Sequence, residues 1–308
     1  MKITKIYFIY HIKYDKKEIS FNERNGEMSD IRTKLMLDLQ RIEKDDFQLR
    51  EGEQHQDFLP LLLQYIGDPQ PELRDNLIYP LFYMWIKEEN RFSREELRSL
   101  LTVLTDENHL FYNIGSEDDQ SVFTRTFSAL PIALILQRHR QNPFLSKVEI
   151  EQLMHAMLRY YKEEKDLRGY LSVGGWAHSA SHGADVFVEL VQCEESSVAM
   201  LREVLVAISD MLHNGRHIFS DEDDERLVNI VDTLIDKELL PHQEISDWIR
   251  SLSQCYNLPR SRSQVIARVN SKNFLRSLYF RRGQESRRNE LNTVILGTEA
   301  KLNRFSIS

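Results

Sequence analysis

Cysteine is nearly missing from this chain. Two, Cys193 and Cys255, stand among 308 residues. That is too few for a disulfide framework, and their separation rules out a CxxC motif. Such usage predicts a cytoplasmic protein whose thiols are small buried hydrophobes. Glycine and proline are also scarce, at 11 and 8, which favours long helices with few turns. No apolar run approaches the roughly 18–20 residues needed to span a bilayer. The run at 6–10, IYFIY, is short and has no small-residue cleavage site after it, so it does not read as a signal peptide. Basic residues (40) are outnumbered by acidic ones (48), for a net charge of −8. That balance argues against a nucleic-acid partner and against an anionic membrane surface. A phosphate-cradling glycine loop, a G-x-S-x-G elbow and a nucleophile–base set are all missing.

What the chain has is helical periodicity. Apolar residues are 41% of the total, and they recur at helical spacing almost throughout. The pattern predicts helices at 31–42, 58–66, 73–87, 94–105, 121–138, 147–162, 176–192, 197–212, 222–237, 245–256 and 263–280, with no alternating strand. Two starts are marked by capping boxes, SREE from Ser93 and SKVE from Ser146, in which Ser and Glu satisfy each other's backbone amides. The helix at 121–138 is nearly apolar all round, which predicts burial at the centre of the fold, with Pro131 as a candidate kink. We expect residues 1–27 to be a mobile or non-native extension, 28–285 a single helical-repeat-like domain, and 286–308 a weakly patterned tail.

The candidate chemistry lies in DLRGYLSVGGWAHSASHGAD, 166–185. Gly169, Gly174 and Gly175 cluster there and lead into Trp176, His178, His182 and Asp185. On a helix, His178, His182 and Asp185 would share one face. Two imidazoles at i and i+4 are spaced to hold one metal ion, with Asp185 as third ligand or as orienting acceptor. The other readings are a ligand or catalytic pocket without metal, and a buried polar cluster in which the groups satisfy one another. No other cofactor is evident. Arg125, inside the apolar helix, must be paired or face a cavity; Asp166 and Asp185 are its candidate partners, and Arg168 reads as an exposed loop residue. With Trp176, these are the candidate ligand-binding residues. His213 and His217 repeat the i, i+4 spacing near a helix end. From 260 to 288 the chain carries nine basic residues against one acid. That segment would either dock an acidic partner or neutralise the protein's own acidic surface.

Three blocks carry a resemblance: NIGSEDDQSVFTRTFSALPIALIL (113–136), the 166–185 segment, and NSKNFLRSLYFRR (270–282). They look like signature blocks of the uncharacterised bacterial domain-of-unknown-function family 2785, over about residues 28–280. The resemblance implies a helical bacterial protein. It places Arg125, Asp166, Arg168, Gly169, Trp176, His178, His182 and Asp185 at family motif positions, without roles. The segment FLPLLLQYIGDPQPELRDNLIYPLF (58–82) also resembles a HEAT repeat. GGWAHSASHGAD is similar to the turns of α/α-toroid enzymes, although the carboxylate or zinc sets of those enzymes are not evident. The expected fold is therefore all-α: stacked antiparallel hairpins forming a HEAT-like α-α superhelix, with an α/α-toroid as the alternative. The expected function is binding of a protein or peptide partner. The alternative is a metal-dependent hydrolase or small-ligand binder centred on His178, His182 and Asp185.

Overall fold

The computed structural model describes residues 26–282 and 290–305. Those residues are helical apart from loops and one two-residue-per-strand hairpin. Helix α1 (Gly26–Lys44) buries Leu35, Leu39 and Ile42 at the expected spacing, and α2 (His55–Gln64) follows. The next rod alternates in pitch: α3 (Pro71–Leu73), a π turn over Arg74–Ile78, α4 (Tyr79–Phe82) and a second π turn over Tyr83–Glu88. Pro80 sits at the first junction. It has no N–H to continue the i→i−4 ladder, and widening the turn accommodates its ring.

Both capping boxes form. Ser93 opens α5 (Arg94–Leu104), with its Oγ accepting from Glu96 N at 3.2 Å while Glu96 accepts from Ser93 N at 2.7 Å. Ser146 opens α7 (Lys147–Glu163) in the same way. Between them, α6 (Ser121–Gln141) is buried on nearly every side from Ser121 to Leu136. Strands β1 (Tyr170–Leu171) and β2 (Gly175–Trp176) pair antiparallel. Then come α8 (Ser179–Leu190), α9 (Val198–Leu212), α10 (Asp223–Asp236), α11 (His242–Ser251) with a 3₁₀ extension (Leu252–Asn257), α12 (Arg262–Arg282) and α13 (Glu290–Leu302).

The packing order positions the site. The second π turn lies against α6, α6 against α8, α8 against α10, α10 against α12, and α12 against α13. On the other side, α5 packs on α6, while α7 packs on α8 and α9. One apolar core runs continuously through these layers.

Two element boundaries differ from expectation, and a third expectation lies almost wholly outside the described residues. The helix expected from 176 starts at Ser179, because the preceding residues turn back as the hairpin. The tail expected from 286 contains α13, which buries Leu291, Val294, Ile295 and Leu302 against its neighbours. The extension expected at 1–27 falls outside the described residues except for Gly26 and Glu27, which begin α1.

Candidate functional site

Glu164, just after α7, anchors the first part of the site. Its carboxylate takes Arg125 Nε at 2.6 Å and Nη2 at 2.9 Å, with both side chains fully buried. Arg125 therefore pairs with Glu164, not with Asp166 or Asp185. Its Nη1 also donates to Ser121 Oγ (2.7 Å) and to the Tyr112 carbonyl (3.0 Å). Burial pushes the Glu164 carboxyl upward, and Arg125 opposes that shift. Arg168 is not a free loop residue. It grips Asp166 at both oxygens (2.7 and 2.5 Å) and donates to the Asp119 carbonyl. The Asp166 carbonyl accepts from Ser179 Oγ at 2.5 Å. Arg125, Asp166 and Arg168 thus fasten the α7–α8 connection.

The glycines serve close approach of the protein to itself. A side chain at Gly169 would strike Asp221. At Gly174, where φ is +104°, a Cβ would lie 2.6 Å from the Phe123 ring. The carbonyls of Gly174 and Trp176 accept from Arg74. That buried guanidinium lies between the rings of Phe123 (3.9 Å) and Phe127 (4.6 Å). The sequence does not mark this arginine, whose destination on the hairpin lies about a hundred residues on.

His178 precedes α8 in the left-handed region, at φ 49°, a strained conformation for a residue with a Cβ. Trp176 stacks on its ring (4.3 Å, 10°), and its Nδ1 lies 3.1 Å from Asp223 Oδ1. The same oxygen accepts from Ser181 Oγ at 2.6 Å. His182 is buried one turn on, edge-to-face with Phe127, its Nδ1 3.2 Å from the Thr126 carbonyl. Burial holds its imidazole well below the usual pKa. The two imidazole centres are 5.9 Å apart. Asp185 turns to a different neighbour, Arg226, at 2.7 Å. The structure therefore brings the two histidines together and sends Asp185 elsewhere. Asp223, which completes the cluster, is hidden in the acidic run SDEDDER, where nothing in the sequence singles it out.

The second histidine pair does not join them. His213 Nε2 meets Ser271 Oγ of α12 at 3.0 Å, and His217 packs on Phe219. Three arginines of the basic segment pair with the protein's own carboxylates. Arg276 pairs with Glu299, Arg281 with Glu225, and Arg282 with Asp232 and Asp236. Arg287 and Arg288 lie outside the described residues.

Among the described residues, the ligand atoms of His139, Cys193 and Glu195 come close enough to share an ion. Their chemistry opposes it. His139 Nδ1 accepts from the Phe144 and Leu145 amides, each at 3.0 Å. Nε2 must then carry the ring proton, which it directs at Glu195 (3.2 Å). Burial pushes the Cys193 thiol up to about 12, and its Sγ donates to the Glu189 carbonyl at 3.4 Å. His139 thus closes the turn between α6 and α7 and links it, through Glu195, to the connection between α8 and α9.

A cleft of about 410 Å³ opens across the face formed by residues 79–87, α6, α8 and α10. Leu130, Ala133, Leu134 and Val188 give it an apolar floor, and Tyr79 and Tyr83 one wall. Asp185, Glu189, Asp232 and Asp236 line the rest with Arg226, Asn229 and Gln137. Its carboxylates are held by arginines: Asp185 by Arg226, Glu189 by Arg140, Asp232 and Asp236 by Arg282. No helix among the described residues is long and apolar enough to cross a membrane.

The model of a protein family of unknown function, DUF2785, matches residues 110–280. The chain belongs to the DUF2785 family. The match spans the Arg125–Glu164 pair, the hairpin and the histidine cluster. Neither a curated protein nor a solved structure matches the chain.

Proposed function

We propose that this DUF2785 protein is a binding module that takes a protein or peptide segment in the cleft between residues 79–87, α6, α8 and α10. The observation that carries this reading is the cleft itself. An apolar floor offers area to bury, and two tyrosines supply broad amphipathic contact. The rim carboxylates are already charge-paired, so a ligand need not bring a compensating ion. The helices that line the cleft are packed side by side, which suits a repeat-type scaffold offering a groove. In this reading the setting is the bacterial cytoplasm. An enzymatic reading would be better served by a cleft that reached His178 and His182, and its lining stops at Asp185 and Arg226.

The test is a display selection of short peptides on the full chain. Selected peptides should lose at least tenfold in affinity for Val188→Glu on the cleft floor. They should bind Val206→Glu normally, because Val206 is exposed on α9. Equal binding to all three proteins would overturn the proposal.

A further inference from the structure

The two imidazoles of the cluster share an unusual preparation. A carboxylate and a carbonyl oxygen can only accept hydrogen bonds from a neutral ring. Asp223 Oδ1 therefore places the ring proton of His178 on Nδ1, and the Thr126 carbonyl does the same for His182. Each ring keeps its lone pair on Nε2. Metal-binding histidines are prepared in this way, with the far nitrogen tied to a carboxylate or a backbone carbonyl. Spacing agrees. Imidazoles bound at about 2.0–2.1 Å to one tetrahedral ion have centres roughly 5–6 Å apart, and here the centres are 5.9 Å apart.

Asp223 is 1% exposed, so its hold on His178 Nδ1 is shielded from water and fixes the ring. Trp176, stacked on His178, holds the strained ring in place. Rings held in advance bind a metal more tightly than rings that must be ordered.

We propose that His178 and His182 bind one divalent transition ion of the zinc type through their Nε2 atoms. Asp223 and the Thr126 carbonyl orient the rings, and the remaining coordination positions are left to water or to a partner's ligand. Asp185 is outside the set because Arg226 takes it. The site is independent of what occupies the cleft.

The test is titration of the full chain with zinc alone, followed by calorimetry, and with cobalt, followed by visible absorption. His178→Asn is the chosen variant because asparagine tolerates the left-handed backbone. His182→Gln keeps an N–H for the Thr126 carbonyl. We expect about one equivalent bound by the wild type and at least a tenfold weaker affinity in each variant. No binding by the folded wild type, or an unchanged affinity in either variant, overturns the proposal. If a variant does not fold, ring-nitrogen NMR of the wild type decides. Both Nε2 atoms should be unprotonated without metal, and both should shift with zinc. A proton on either Nε2, or a ring that ignores zinc, would sink the shared site.

Discussion

Gly183 sets helix propensity against packing. It lies within α8, where alanine should gain about 1 kcal/mol. Yet an added Cβ would strike the Tyr161 ring and crowd that of Tyr160. Neither ring is free to move, since Tyr161 Oη donates to the Ala180 carbonyl (2.6 Å) and Tyr160 Oη to that of Ser179 (3.3 Å). Overpacking costs about 1–3 kcal/mol, so packing should win. We expect Gly183→Ala to lower the denaturant midpoint by an amount equivalent to up to about 2 kcal/mol. Asp224 poses a similar conflict. It sits in the first turn of α10, where the helix dipole and amides favour a carboxylate. Burial prevails and raises its pKa from 3.8 to about 6. A folded-state pKa above the unfolded one means stability that is present below about 3.8 and lost as pH rises through about 6. Asp224→Asn should therefore be more stable than the wild type near pH 8, with the advantage vanishing by pH 4. Thermal melts at both pH values check this. At this scale the sequence was half legible. An arginine in the apolar run around Arg125 had to be paired, but Glu164 lies 39 residues away beyond another helix, and no local pattern names it.

The elements were most legible where their ends are chemically marked. Ser93 and Ser146 begin helices because their hydroxyls and the following glutamates close the free amides. Ser146→Ala should cost about 1 kcal/mol, seen as a lower melting temperature without loss of helical circular dichroism at low temperature. The stripe of His178, His182 and Asp185 suggests a helix that begins before α8 does. Gly174 and Gly175, both with positive φ, instead turn the chain into the hairpin, and the helix waits until Ser179. The helix α13 was missed although Leu291, Val294, Ile295, Thr298 and Leu302 keep a helical spacing. Gly297 and the polar residues among them blur that stripe, and packing on α11 and α12 makes the helix worthwhile.

At the scale of the molecule, the sequence carried the all-α class. The order in which α6, α8, α10 and α12 line up depended on contacts no single helix announces. The same holds for the cleft, whose walls come from four separated stretches. Arg74 ties the rod that carries residues 79–87 to α6 and to the hairpin before α8. Replacing it with methionine would leave the buried carbonyls of Asp68 and Gly174 without their donor. Each such loss costs about 1–3 kcal/mol, so Arg74→Met should destabilise the fold by about 2–4 kcal/mol in equilibrium denaturation. Its position has a further meaning. The inherited signature begins at residue 110, yet the hairpin and the rings of Phe123 and Phe127 close around a residue well upstream of it. What descent has kept recognisable and what folds cooperatively are thus cut at different places, and an excised signature would be an incomplete machine.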